Sequence, residues 1–144
     1  MNKFMCTGLA ILMILSFAAP VCAVTAEQTA EAQGLITPQF THIMFVDSKL
    51  SITPMGEAIC RGALTLYSSS QTAELTVELQ KQNGSGWTPI KSWTASGPGL
   101  PGVEIERSYY VVKGTYRVCT TAKVRDAAGR LLEEVSIYSV VVTN

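Results

Sequence analysis

The sequence has few of the residues from which catalytic and metal sites are built. Among its 144 residues there is one histidine, His42, and there are two aspartates, Asp47 and Asp126. A single histidine excludes metal sites that need several, and no H-E-x-x-H, G-x-S-x-G or dinucleotide-binding motif is present. A calcium site at either aspartate is disfavoured, because neither lies in a loop rich in Asp and Asn. We therefore expect a protein that is not an enzyme and that uses no metal or cofactor.

The sequence also lacks an excess of charge of either sign. It has 11 basic and 11 acidic side chains, which gives a formal net charge of zero. Nucleic acids and anionic membrane surfaces attract proteins through clustered positive charge, and no basic run is present here. Both are therefore poor candidates as partners.

Long apolar runs are absent except at the start of the chain. Lys3 precedes a nearly unbroken apolar stretch at residues 5–19, which is followed by small residues up to Ala23. A charged start, an apolar centre and an A-x-A-like end are typical of a secretory signal peptide. We predict a signal peptide over residues 1–23, cleaved after Ala23 or, as the second choice, after Ala26.

The apolar stretch is too short to remain as a membrane anchor, because a transmembrane helix needs about 20 apolar residues. Lipid attachment at Cys22 is the main alternative, but the preceding residue, Val21, is larger than such a site favours. We expect a secreted, extracellular product with no membrane span after cleavage.

The segment after the predicted cleavage site differs from the rest of the chain. Residues 24–34 are rich in Ala, Glu, Gln and Thr, and Val24 is their only large aliphatic residue. Such a segment buries too little apolar surface to offset the cost of ordering, so we predict a flexible N-terminal arm. A short helix is the alternative, although its length is marginal. Residues 35–144 are expected to form one domain.

This domain alternates polar and apolar side chains with a period of two, which indicates β-strands. The pattern is clearest at residues 72–82, and turn residues at 83–86 and 126–129 predict two hairpins. Pro89 predicts an edge or irregular position in its strand, because proline cannot donate to a sheet ladder. The predicted strands cover residues 40–46 with 50–53, 57–67, 72–82, 87–94, 103–112, 115–125 and 131–143. This spacing predicts an all-β protein, an antiparallel β-sandwich of about seven strands with an immunoglobulin-like outline.

Cysteine is scarce as well. After signal cleavage only Cys60 and Cys119 remain, and in an oxidising compartment we predict a disulfide between them. Two buried free thiols are the alternative. Cys119 lies in the polar phase of its strand, and Tyr116 precedes it by three residues instead of the two of an immunoglobulin tyrosine corner. Whether the disulfide crosses the core or is peripheral is therefore left open.

Several stretches of the domain match the sequences of one group of proteins. They are residues 35–38 with 41–43, 79–87, 91–93, 108–111, 113–118 and 126–133. In these stretches the chain resembles a group of small secreted proteins of Gram-positive, clostridia-like bacteria whose function is uncharacterised. The resemblance implies a signal peptide followed by one β-sandwich, immunoglobulin-like or fibronectin-like in outline. It carries no catalytic residue.

The aromatic residues provide the main recognition signal. Trp87 and Trp93 lie on one predicted hairpin arm, and Tyr109 and Tyr110 are adjacent, so that one tyrosine must face away from the core. Rings with a polar tip are common at protein interfaces and in sugar binding. We therefore take Trp87, Trp93 and Tyr110 as candidate ligand-binding residues, with an extracellular glycan or protein as the partner. In the alternative interpretation, the tryptophans cover the sandwich edge and one tyrosine closes the core.

Two further hypotheses follow from the sequence. The chain is a self-associating structural or assembly protein if exposed sheet edges pair between copies. It is a small glycoside-acting hydrolase if Glu104 and Glu106, which share one face of a strand, act as a carboxylate pair. The alternative for this pair is a solvated strand face. Glu133 and Glu134 are a weaker pair, because adjacent strand residues point to opposite faces.

Overall fold

The computed structural model describes residues 39–144, which contain eight β-strands and no helix. The strands are β1 (Ile43–Ile52), β2 (Glu57–Leu66), β3 (Thr72–Asn83), β4 (Gly86–Pro98), β5 (Val103–Tyr110), β6 (Thr115–Arg125), β7 (Leu131–Tyr138) and β8 (Val142–Thr143). The predicted signal peptide at 1–23, the predicted arm at 24–34 and residues 35–38 lie outside the described residues. Within the described part, no helix is long and apolar enough to cross a membrane.

The strands form two antiparallel sheets. The three-stranded sheet has the order β1-β2-β5. The five-stranded sheet has the order β4-β3-β6-β7, and β8 pairs with β6 beyond the end of β7. Side chains from both sheets contribute to one hydrophobic core between them, which confirms the predicted β-sandwich.

The alternation along the central strands decides which side chains form the core. On β2, β3 and β6, buried residues alternate with half-buried or exposed ones. Leu64, Leu75 and Val118 are among the side chains with no exposed surface. Complete burial of one such side chain contributes about 1.5–3 kcal/mol. These three strands therefore supply most of the apolar contribution to stability.

Several strand boundaries differ from the predicted ones: β1 begins at Ile43 and continues without a break to Ile52, and the two largest differences are in β4 and in the last predicted strand. β4 continues to Pro98, into a segment that the sequence predicts to be a loop. The predicted last strand is broken at Ser139, whose backbone N–H donates to the carbonyl of Val118 at 2.9 Å and whose hydroxyl accepts from the Val118 N–H at 2.9 Å. Because the hydroxyl takes the place of a backbone carbonyl in the ladder, Val140 and Val141 leave the sheet and are exposed.

The edge strand β4 contains a bulge. Leu79 of β3 pairs with Lys91, and the next residue, Gln80, pairs with Pro89. Ile90 is therefore an extra residue on β4, and its side chain packs against the core. An extra residue reverses the phase of the side chains on its two sides. Consequently, two odd-numbered residues of β4, one before and one after Ile90, face opposite sides of the sheet, and the same holds for two even-numbered residues. The edge position of β4 is the one that Pro89 predicts.

Tyr116 closes the start of β6 and is the largest of the fully buried side chains. Its hydroxyl donates to the carbonyl oxygen of Val112 at 2.7 Å. A tyrosine that bonds the backbone a few residues upstream of its own strand is the feature that defines a tyrosine corner. The spacing to Cys119 differs from the immunoglobulin pattern, but the hydrogen bond is of the same kind. Tyr116 therefore anchors the connection between β5 and β6.

The predicted disulfide between Cys60 and Cys119 is wrong, because both residues are free thiols. Cys60 lies on β2 and its side chain is part of the core. Cys119 lies on β6 between the buried residues Val118 and Thr120, so its side chain is on the outer face of the five-stranded sheet. That sheet separates the two thiols. The physical reason that no disulfide forms is that Cys119 lies in the polar phase of its strand, which places its thiol on the side of the sheet away from Cys60.

Burial raises the pKa of the Cys60 thiol from its ordinary value of 9.0 to about 12. Between these values the unfolded chain loses the thiol proton and the folded chain keeps it, so stability should fall as the pH rises. One such group contributes up to about 1.4 kcal/mol per pH unit in this range. We expect Cys60→Ala to flatten the alkaline loss of stability, measured by urea unfolding from about pH 8 to about pH 11. Equal slopes for the variant and the unmodified chain would contradict the expectation.

Candidate functional site

The outer face of the five-stranded sheet carries a stack of three side chains. The guanidinium carbon of Arg117, on β6, lies 4.3 Å from the ring centre of Trp87 and 4.0 Å from the ring centre of Tyr138. Trp87 belongs to β4 and Tyr138 to β7, so the stack reaches across the sheet between its two edge strands. Contacts of this kind contribute about 0.5–1 kcal/mol each at exposed sites. We name these three residues the Arg117 cluster.

Two side chains of β3 hold Arg117 in place through consecutive hydrogen bonds. Nε of Arg117 donates to Oε1 of Gln80 at 2.8 Å, and Nε2 of Gln80 donates to Oε1 of Glu78 at 2.6 Å. Gln80 is the register partner of Arg117, and Glu78 is the register partner of Cys119. The amide of Gln80 therefore stands between the positive charge of Arg117 and the negative charge of Glu78.

The remainder of this outer face is polar and internally paired. Hydroxyl groups bond across neighbouring strands, and two ion pairs do the same near the other end of the sheet. The pairs are Thr76 with Thr94 at 3.1 Å, Thr121 with Ser136 at 2.8 Å, Glu74 with Arg125 at 3.2 Å and Lys123 with Glu134 at 3.8 Å. These groups satisfy one another, so the Arg117 cluster is the part of the face best suited to an external partner.

The structure does not bring the three predicted binding residues together. Trp87 belongs to the Arg117 cluster, on the outer face. Trp93 is half-buried and packs against the core. Tyr110 is 71 % exposed, but it lies on β5 in the three-stranded sheet. The bulge at Ile90 explains why the two tryptophans face opposite sides of one strand. The three residues therefore do not form a single site.

Two residues of the cluster, Arg117 and Tyr138, are absent from the set predicted from sequence. The sequence places Arg117 in the polar phase of its strand, in common with Cys119, and this is the one signal that points to the face. The neighbours of Arg117 depend on strand register, which brings Tyr138 opposite Cys119 and Gln80 opposite Arg117. Register across two sheet neighbours cannot be read from the alternation of a single strand.

The carboxylate pair of β5 lies on the outer face of the three-stranded sheet. Nε of Arg61 donates to Glu104 at 2.7 Å, and Glu106 is the register partner of Arg61. Both carboxylates are exposed. A glycosidase needs one carboxyl group whose surroundings keep it protonated, usually by burial. The exposed ion pair therefore favours a solvated strand face over a hydrolase site.

His42, directly before β1, forms hydrogen bonds through both its side chain and its backbone. Gln71 contacts its Nδ1 atom through Nε2 at 2.8 Å. The backbone N–H groups of Thr41 and His42 donate to the two carboxylate oxygens of Glu133 at 3.2 and 2.8 Å. The side chain of Glu133 thus connects β7 to the segment before β1. His42 takes part in this local network.

The two aspartates are likewise engaged by neighbours. Asp47 forms an ion pair with Lys49 at 3.1 Å. Asp126 accepts backbone hydrogen bonds from Arg130 at 2.9 Å and Ala128 at 3.0 Å in the β6–β7 turn. The bond from the Arg130 backbone, followed by that from Ala128, lowers the pKa of Asp126. Among residues 39–144, no three potential ligands are grouped so that they could hold a metal ion.

Two open clefts lie elsewhere on the described domain. One has a volume of about 640 Å³ and lies at the start of β1, and the other has about 510 Å³ and runs along β1 and β2. Their larger lining residues are Phe40, Met44, Phe45 and Tyr67 in the first, and Leu50, Ile59, Arg61 and Val140 in the second. Neither cleft includes a residue of the Arg117 cluster, which lies on an open sheet face.

No protein-family model matches the chain, and a search of curated proteins finds no match. The sandwich and the Arg117 cluster are therefore the features from which a function can be inferred.

Proposed function

We propose that the chain is a secreted, non-catalytic β-sandwich that binds a partner outside the cell through the outer face of its five-stranded sheet. The stacked Arg117 cluster is the observation that carries the proposal. Trp, Tyr and Arg are the residue types most enriched among those that dominate the binding energy of protein interfaces. Here one of each type is joined into a single stack, and Tyr138 is still 54 % exposed.

The cluster is ordered before any partner arrives. A free arginine side chain loses about 0.5–1.5 kcal/mol of rotational freedom when a partner immobilises it. Arg117 is already held by two rings and by Gln80. Most of this cost is therefore met in folding, which favours affinity for a partner that fits the fixed guanidinium.

The outline of the fold supports the same role. The strand order and the tyrosine corner at Tyr116 support an immunoglobulin-like sandwich. One strand departs from the constant-type arrangement, in which the fourth strand pairs with the fifth, because β4 pairs with β3. Domains of this architecture are frequent at cell surfaces. The predicted signal peptide at residues 1–23 and the resemblance to secreted bacterial proteins agree with an extracellular role.

Alanine substitution in the cluster tests the binding role. Labelled protein recovered from the culture medium of the producing organism should bind saturably to intact cells of that organism or to an arrayed glycan. Trp87→Ala should weaken this binding about tenfold or more, because truncating an aromatic side chain at the centre of an interface commonly has an effect of that size. Tyr110→Ala is the matched control, since it removes an exposed aromatic ring from the other sheet, and it should leave binding unchanged.

Two outcomes would contradict the proposal. If no saturable binding is found on cells or glycans, the binding role is wrong. If Tyr110→Ala weakens binding as much as Trp87→Ala does, the binding face is not the one that carries the Arg117 cluster. Circular dichroism of each variant shows that the sandwich is intact, so that a loss of binding is not a loss of folding.

A further inference from the structure

We infer that the partner is a protein that places a carboxylate group on the guanidinium of Arg117. This inference rests on the proposed binding role and specifies the chemistry of the partner. It follows from the charges of the outer face, from the hydrogen-bonding groups of Arg117 that are still available, and from the shape of the surface around them.

Arg117 is the one cation of this face without an ion-pair partner among the described residues. The other two cations are paired across strands, Lys123 with Glu134 and Arg125 with Glu74. The nearest free acid, Glu78, receives its hydrogen bond from Gln80 instead of from Arg117. A guanidinium that is fixed in place but lacks a negative counterpart is complementary to a negative group on a partner.

The hydrogen-bonding capacity of Arg117 indicates which negative group fits. Its Nε atom donates to Gln80, and within residues 39–144 neither Nη atom has an acceptor. Two parallel N–H groups at the end of a guanidinium match the two oxygens of a carboxylate. Glu78 lies close by, and its charge disfavours a dianion such as a phosphate monoester more than it disfavours a single carboxylate.

The surface around Arg117 favours a protein over a sugar. Trp87 and Tyr138 each have one ring face against the guanidinium, so the covered face of each ring is not available to stack on a sugar. The two clefts described above do not include a residue of the Arg117 cluster, and small ligands and short saccharides bind mainly in concave sites. An open sheet face with paired hydroxyls around a Trp–Arg–Tyr stack resembles the centre and rim of a protein interface.

Polymers of defined charge test the inference directly. Protein recovered from the culture medium is immobilised and titrated with a random copolymer of glutamate and tyrosine, with the lysine and tyrosine copolymer, and with laminarin as a neutral glucan. We expect binding to the glutamate copolymer only. Arg117→Gln should weaken it about tenfold or more, the usual effect of losing a charge-assisted bidentate pair. Arg117→Lys keeps the charge but not the fork geometry, and should restore only a small part of the affinity.

Arg107→Gln is the matched control, because it removes one exposed positive charge from β5 in the other sheet. If it weakens binding as much as Arg117→Gln does, the attraction is general electrostatics and the inference is wrong. Complete rescue by Arg117→Lys would exclude the bidentate contact. Absence of binding to the glutamate copolymer, or binding to laminarin that requires Arg117, would overturn the carboxylate partner. The second result would still support the proposed binding face, so the two proposals fail separately.

Discussion

Replacing Tyr116 with alanine should lower the free energy of unfolding by about 3–5 kcal/mol, measured by urea denaturation. The side chain is only 1 % exposed and is the largest of those that are fully buried, so its removal leaves a cavity in the core. The same substitution breaks the hydrogen bond from the Tyr116 hydroxyl to Val112. Domains of this size have a total stability of about 5–15 kcal/mol, so this one change should remove a large part of it.

Tyr116→Phe separates the two contributions, because it keeps the ring and removes only the hydroxyl. Its expected cost is about 0.5–1.5 kcal/mol. Val112 is 71 % exposed, so water can replace the lost donor at its carbonyl oxygen. Tyr110→Ala serves as the control for a surface tyrosine and should change stability by less than about 0.5 kcal/mol. If Tyr116→Ala is no less stable than Tyr110→Ala, Tyr116 does not fill the core as described.

Most of the fold could be predicted from local alternation. The strand predicted at residues 115–125 has the observed bounds of β6, because a long, regular alternation allows only one assignment of inner and outer faces. The break after β7 could not be predicted, because it depends on the hydroxyl of Ser139 meeting the backbone of Val118 on the neighbouring strand. The predicted disulfide between Cys60 and Cys119 was wrong for a related reason. The expected oxidising compartment favours a disulfide, but the phase of Cys119 places its thiol outside the core.

The candidate site could be predicted only in part. The sequence predicts Trp87 as a binding residue because rings with a polar tip are common in recognition sites. It predicts Trp93, on the same hairpin arm, for the same reason. Their separation onto two faces results from the bulge at Ile90, which depends on how the whole hairpin pairs. Arg117 and Tyr138 join Trp87 through the register of three different strand pairs. Phase within a strand can be read from a sequence, whereas register between strands is set by the folded sheet.

Adding a side chain at Gly62 should also strongly destabilise the fold, as the loss of the Tyr116 side chain should. A Cβ atom at this site would lie 2.5 Å from Cγ2 of Val77 and 3.1 Å from side-chain atoms of Thr120. Both neighbours are fully buried and belong to the opposite sheet, so the added group can be accommodated only if the sheets or side chains shift. Overpacking of this kind costs about 1–3 kcal/mol. We expect Gly62→Ala to lower the free energy of unfolding by that amount, and Gly62→Val by more.

A second substitution shows whether the contact between the sheets is the cause. Val77→Ala removes the methyl group nearest to Gly62 and should itself be destabilising, but in its presence Gly62→Ala should cost less. We expect a coupling of about 1 kcal/mol, within the range found for residues in contact. The compensation should be partial, because the approach to Thr120 remains. Gly86→Ala is the control, since its Cβ atom would lie 3.7 Å from the carbonyl oxygen of Asn83, an ordinary contact. Strictly additive effects of Gly62→Ala and Val77→Ala would mean that the two sheets do not meet at this point.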